Sequence, residues 1–286
     1  MHLLQILILA IIQGATELLP VSSSAHVIVA EKLMGLDPAS PEMTMLLVML
    51  HTGTMFAVIA FFWNGWRRDY FSSGLKGKDF ILQVIVATIC TGIVGYGIKT
   101  VIEKLFMHGM EKAEVEDLFS NLPLIAGALF AVGLLIIYSG IRSEKFRRGG
   151  EIQLPQSCWI GVMQGFCLPF RGFSRSGATI STGLLLGLSR IKLEEFSFAL
   201  AVVLTPPVIA REALRLLKAN KAAGVHVPML HLLAPSLIGM IFSFAAGLIA
   251  LKWLSSWLEA GHWKLFGFYC LAASVAVLAL HFAMGI

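Results

Sequence analysis

Six long, predominantly apolar runs constrain this chain more than any other feature: Met43 to Trp63, Phe80 to Lys99, Leu122 to Ile141, Phe196 to Ala213, Leu230 to Leu251 and Trp263 to Ala283. A helix of roughly 20 apolar residues spans the hydrocarbon core of a bilayer. The runs are continuous rather than alternating, and a segment surrounded by lipid must satisfy its own backbone groups, so each reads as a spanning helix. Composition agrees. Of all residues, 57% are hydrophobic and 14% charged, where a soluble domain carries about a quarter charged.

The formal charge of +5 does not point to nucleic acid, because the basic residues gather in short loops beside the apolar runs. That is an orientation signal, and no nucleic-acid partner is expected. Cys90, Cys158, Cys167 and Cys270 lie in apolar segments without metal-ligand spacing, so they reveal neither zinc nor redox compartment. Leu3 to Ile12, followed by Ser23-Ser24-Ala25, has the outline of a secretory signal. No Lys or Arg precedes it and polar Gln13 and Glu17 follow at once, so the segment is expected to stay.

Two further apolar segments are broken. Leu3 to Leu33 is split by ELLPVSSSAH, and Trp159 to Leu188 by PFRGFSRSGAT. Irregular backbone at membrane depth survives where it is buried in protein or lines a wet cavity, which predicts two re-entrant hairpins meeting inside a bundle. The halves also repeat. Gln13-Gly14 matches Gln164-Gly165 at an offset of 151 (164 − 13), which places Ser23 on Ser174. At an offset of 153 (195 − 42), Glu42 falls on Glu195, Leu47 on Leu200, Thr52 on Thr205 and Ala57 on Ala210. The expected fold is therefore an all-α, polytopic membrane bundle, a single transmembrane domain over 1–286 with pseudo-repeat halves 1–145 and 151–286. Three full spans per half make the repeat inverted.

Loop charge sets the orientation. Arg67, Arg68, Lys76 and Lys78, and separately Arg142, Lys145, Arg147 and Arg148, form basic loops on either side of the acidic stretch Ile102 to Asp117. The positive-inside rule puts the basic loops in the cytoplasm and both termini outside, so the first hairpin enters from outside and the second from the cytoplasm. Arg211, Arg215, Lys218 and Lys221 oppose this assignment.

Chemistry concentrates in the two interruptions. Glu17 reads as the one acid in the interior of an apolar segment, where a charge costs roughly 2.5 to 3.5 kcal/mol and demands a polar cavity and a partner. Gln13 lies four residues earlier on the same helical face, suited to a divalent cation or a polar substrate. Pro20 ends the helix, and Ser22, Ser23 and Ser24 put hydroxyls and free N–H groups where a new helix begins. Each serine also qualifies as a plain N-cap. His26 follows, near enough to share a cavity with Glu17. The second interruption supplies Arg171 and Arg175 among Gly172, Ser174, Ser176, Gly177 and Thr179. Glycine admits close backbone approach, arginine offers a planar fork for phosphate oxygens, and a helix opening after Gly177 adds its dipole. His51, His231 and His281 lack charged neighbours in the chain and read as core or interhelical hydrogen-bonding residues.

Taken together, QGATELLPVSSSAH and GFSRSGATIS resemble the undecaprenyl-diphosphate phosphatase family, also called the bacitracin-resistance phosphatases, over nearly the whole chain. The family's first motif is matched by Gln13, Glu17, Ser22, Ser23 and His26, and its second by Gly172, Ser174, Arg175, Ser176 and Thr179. One departure is Arg171, where the family has proline; the nearest proline is Pro169.

The resemblance implies removal of the terminal phosphate from undecaprenyl diphosphate, yielding the monophosphate carrier lipid for cell-wall polymers, and with it bacitracin resistance. It further implies a bacterial inner-membrane location, a divalent cation (Mg²⁺ or Ca²⁺), and a site opening to the extracytoplasmic side. Membrane lipids and the polyprenyl substrate are then the partners, and a homodimer is allowed.

On this reading Glu17 and Gln13 hold the metal. Arg175 and Arg171 bind phosphate with Ser22, Ser24, Gly172, Ser174, Ser176 and Thr179. His26 is the nucleophile, or the base for Ser23 or water, and both options stay open. The competing class is a secondary transporter or flippase, which also uses inverted repeats and broken helices.

Overall fold

The structure, a computed structural model, describes all residues except 1, 38–39, 73, 107–120, 146–148, 224–228 and 285–286. Arg147, Arg148 and most of the acidic stretch of the orientation argument lie outside the described residues, as do the side chains of Glu42, Lys145, Arg215, Lys218, Lys221 and His231. The regular secondary structure of the described residues is helical apart from an isolated bridge between Gly150 and Leu188.

Its elements are α1 (Leu3–Leu18), α2 (Ser23–Leu33), α3 (Pro41–Asp69), α4 (Gly74–Phe106), α5 (Leu122–Lys145), α6 (Leu154–Cys167), α7 (Arg175–Leu185), α8 (Arg190–Ala223), α9 (Met229–Glu259) and α10 (Trp263–Met284). Each of the six long helices contains the apolar run expected there and extends past it. Pro206 and Pro207 in α8 and Pro235 in α9 sit inside helices without ending them, as neighbouring helices allow within a membrane.

Among the described residues, six helices are long and apolar enough to cross a bilayer. Ile93, Ile249, Val275 and Phe282 stand on the outer surface, 66% to 80% exposed, a face that only lipid covers well. The chain is a multi-pass integral membrane protein. Its largest core cluster packs Phe62, Trp66, Phe196, Phe198 and Trp263 with aliphatic side chains from both halves.

The order short, short, long, long, long occurs twice in the chain. α1 lies along α9 as α6 lies along α4, while α3 packs on α8 and α5 on α10. On the α4–α6 seam the thiols of Cys90 and Cys158 face each other at 3.1 Å, a pairing their sequence spacing does not signal. At the α5–α10 crossing, a Cβ on Gly267 would stand 2.6 Å from the carbonyl oxygen of Gly133, so the two backbones touch. Nearby, the Trp263 indole donates to Ser139 Oγ of α5 at 3.1 Å and Ser181 Oγ of α7 at 3.3 Å, joining three helices.

Glu17 is not the only interior acid. Glu31, Glu194 and Glu195 are 2%, 2% and 5% exposed. Each lies within two turns of a helix end, where the sequence looks interfacial, yet neighbouring helices cover it: Ser255 of α9 donates to Glu194 at 3.0 Å and Tyr70 to Glu195 at 2.9 Å.

The glycine contact yields a test. Gly267→Leu should destabilise the protein by about 1 to 3 kcal/mol through overpacking. Gly127→Ala on the same seam helix, where an added Cβ meets nothing within 4 Å, should leave thermal unfolding in detergent unchanged.

Candidate active site

The first hairpin is shaped by Pro20. A residue before proline is pushed into extended backbone, and Leu19 sits at φ −77°, ψ 151°, closing α1. The chain reverses through Val21 and Ser22. Ser22 takes a φ of +68°, which costs a non-glycine residue on the order of 1 to 3 kcal/mol. That twist turns the Ser22 carbonyl back onto His26, whose Nδ1–H donates to it at 2.7 Å. A carbonyl only accepts, so the ring proton is on Nδ1 and the neutral imidazole keeps its lone pair at Nε2. There the hydroxyl of Tyr269 on α10 donates at 2.7 Å.

Glu17 occupies the last turn of α1. Its Oε2 accepts from Gln13 Nε2 at 3.2 Å and from Ser23 Oγ at 2.5 Å. Its Oε1 pairs with Arg175 Nη2 at 3.4 Å. The pair joins the two halves of the chain, with side chains only 20% and 18% exposed. His51 of α3 brings Nε2 to 3.9 Å from the same carboxylate, while its Nδ1–H donates to Leu47 O at 2.8 Å.

The second hairpin is built to deliver Arg175. Gly172 adopts φ +97°, and any Cβ there would strike the backbone of Ile125, so glycine is required. Ser174 is a true N-cap whose Oγ accepts from Gly177 N–H at 3.2 Å. The expectation of a helix opening after Gly177 is thus corrected: α7 opens at Arg175, because the serine cap lets glycine sit in the first turn. The other Arg175 nitrogen, Nη1, donates to Ser197 O at 3.4 Å. Thr179 Oγ1 donates to Arg175 O at 2.9 Å and meets Ser197 Oγ at 2.7 Å.

The two turns are stitched together. Gly172 N–H donates to Ser24 Oγ at 3.4 Å and Ser176 Oγ to Leu19 O at 3.3 Å, and Ser22 Oγ lies 3.2 Å from Ser24 Oγ. As a result the N-termini of α2 and α7 both open beside Glu17. Two sets of free N–H groups and two positive dipole ends converge on one place, an arrangement that attracts anions.

Gln13, Glu17, Ser23 and Arg175 therefore gather around one carboxylate, with Ser22, Ser24, His26 and Gly172 adjoining. Ser174, Ser176 and Thr179 are buried and spend their hydroxyls on contacts within the protein. Arg171 is exposed, and its charge acts on Glu31 of α2 rather than on the cluster at Glu17. The motifs did not disclose His51, Ser197 or Tyr269. For His51 a signal was present: His51-Thr52-Gly53-Thr54 is a polar knot in mid-run. Ser197 and Tyr269 had none, since interhelical packing alone brings them in.

Fold and site together define a multi-pass membrane protein that holds a partly buried Glu–Arg pair and two helix openings between two short-helix hairpins. Comparison with known proteins places it further. The family described as Bacitracin resistance protein BacA matches residues 6–276, and the chain belongs to that family. It is 58% identical over 284 residues, 98% of each chain, to Undecaprenyl-diphosphatase 2 of Acinetobacter baylyi. An undecaprenyl-diphosphatase of Desulfatibacillum aliphaticivorans is 33% identical, covering 99% of this chain and all of its own. One from Desulfitobacterium hafniense is 31% identical over 95% of this chain and 93% of its own.

Removing one member of a partly buried charge pair strands the other. Glu17→Gln and Arg175→Gln should each lower stability, and the double variant should recover about 1 to 3 kcal/mol of the summed loss. A double-mutant cycle from thermal unfolding in detergent measures this. Strict additivity would show that the two groups do not interact.

Proposed function

We propose that this protein hydrolyses undecaprenyl diphosphate to undecaprenyl phosphate and inorganic phosphate, regenerating the lipid carrier used in cell-wall synthesis and thereby opposing bacitracin. Membership of the family, whose relatives are named for this activity, carries the reading. The Glu17–Arg175 pair between the hairpins gives it a site.

Arg175 and the N–H groups opening α2 and α7 take the oxygens of the terminal phosphate and neutralise the charge that spreads over them as the P–O–P bridge breaks. Ser23 and Ser24 line the same opening. Arg175 is held for this by Ser197 and Thr179. His26 presents Nε2. It either accepts the proton of the attacking water or Ser23 hydroxyl, or attacks phosphorus itself; a phosphoserine or phosphohistidine formed in this way is then hydrolysed by water, releasing inorganic phosphate. In each case the lipid monophosphate leaves with the bridging oxygen. The polyprenyl tail stays among lipids between helices, so no aqueous substrate channel is needed.

A divalent cation suits this donor set when substrate contributes. Glu17 supplies one carboxylate, and Gln13 and Ser23 supply neutral oxygens. Among the described residues no group of three or more His, Cys, Asp and Glu could hold a metal alone. Mg²⁺ commonly binds through one or two carboxylates plus substrate phosphates. A diphosphate arriving beside the Glu17 carboxylate also needs a positive charge between them. When bound there, Mg²⁺ or Ca²⁺ offsets phosphate charge.

The protein resides in the bacterial inner membrane with the site opening to the extracytoplasmic side. The loop charges support this orientation, since exposed Arg67 and Arg68 end α3, whereas the first hairpin opens towards the other end. The twofold order of elements supports an inverted repeat.

Purified protein should release phosphate from a polyprenyl diphosphate. Chelator should cut the rate at least tenfold, with recovery on adding Mg²⁺ or Ca²⁺, while Arg175→Ala and Glu17→Ala should each lower kcat by about 100-fold or more. Uptake of an anion without hydrolysis would instead identify a carrier. Acid quench separates the chemical options. An acid-labile phosphoenzyme absent from His26→Ala marks covalent histidine, and an acid-stable one marks Ser23.

A further inference from the structure

Resting on the hydrolytic reading, we infer that Tyr269 is a positioning residue for His26, holding Nε2 at the lipid-facing mouth of the site and yielding that nitrogen to the arriving diphosphate. The observation is a doubly anchored imidazole. Ser22 O fixes Nδ1 from the hairpin turn, and the Tyr269 hydroxyl fixes Nε2 from α10, both at 2.7 Å. The rings lie nearly parallel, 12° apart, with centroids 5.7 Å apart. One anchor would leave the ring free to turn about the other contact; two leave it a single orientation.

The two anchors differ in permanence. Ser22 is buried, 5% exposed, in a backbone turn with no freedom to withdraw. Tyr269 is 48% exposed, on a face of α10 otherwise covered by lipid, and its phenol can swing outward without opening the core. Below it the seam is closed: Ala25 and Ile28 of α2 share a buried cluster with Val277, Leu122 and Ile125, and Val29, Ala273 and Leu278 pack against that cluster. The hydroxyl thus stands where a diphosphate must come to meet Nε2, at the protein surface, with the tail still in the bilayer. While it donates to Nε2 it occupies the lone pair that the reaction uses. Once displaced, it remains beside the phosphate as a neutral donor.

Carbethoxylation by diethyl pyrocarbonate tests this without using turnover, because the reagent attacks an unoccupied imidazole lone pair. In Tyr269→Phe, modification of His26, followed by peptide mass spectrometry, should be about threefold or more faster than in the unaltered protein, with thermal unfolding unchanged. Farnesyl diphosphate hydrolysis should show kcat lower by about tenfold and KM within about twofold, the scale of one hydrogen bond. Tyr269→Leu, which also lacks the hydroxyl, should match it in both measures. Unchanged His26 reactivity in both variants would overturn the inference. So would a raised KM at constant kcat, which would make Tyr269 a binding surface only. Protein with no hydrolytic activity but faster His26 modification in the variants would sink the enzymatic reading and leave the anchoring intact.

Discussion

The contact between the Glu17 carboxylate and the Arg175 guanidinium, 3.4 Å apart across the two halves of the chain, is the interaction on which the rest of this molecule depends. Neither charge is tolerable alone inside an apolar bundle. Each hairpin therefore carries half of a requirement that the other completes, and meeting it brings the openings of α2 and α7 together. Everything else at the site is arranged around that meeting. Gln13 and Ser23 both donate to Oε2 of Glu17, Ser197 takes the second arm of Arg175, and the Ser22 turn aims His26. The convergence of two helix openings on one carboxylate is a consequence of a pairing that an apolar environment already enforces.

How much of this was legible in the amino-acid order depended on whether a property belonged to one segment or to several. The six spans were legible because apolar continuity over a bilayer's thickness is a local property. The two breaks were legible through Pro20 and the Gly-Phe-Ser-Arg-Ser turn, and Glu17, Ser23, His26 and Arg175 through polar residues out of place. Direction was harder to read. Arg171 and Arg175 differ by four positions, yet the turn between them sends one to the surface near Glu31 and the other to Glu17. His51, Ser197 and Tyr269 join the site from three different long helices. Helical periodicity shows a residue's own face and not what the neighbouring helix presents to it. The helix expected to open after Gly177 opens at Arg175 instead, because the Ser174 hydroxyl caps it there.

The structure also accounts for economy in the donor set. A soluble phosphatase can recruit many ionised side chains, whereas here each added charge must be matched within the bundle. Among the described residues one acid and one base meet at the centre, beside N–H groups at two helix openings, which present positive dipole ends with no formal charge to bury. Hydroxyls that the motif contributes in number, those of Ser174, Ser176 and Thr179, are used to cap α7 and to hold it in place. A serine-rich signature in a membrane protein can thus encode scaffolding as much as contact with ligand.

The α5–α10 crossing bears on how such a protein can operate. Gly133 and Gly267 bring the two backbones into contact, and the Trp263 indole pins α7 to that same crossing through Ser181. A contact at this point ties the first half of the chain to the second. With the backbones in contact there and the indole fastened across it, α5, α7 and α10 form one braced edge of the bundle.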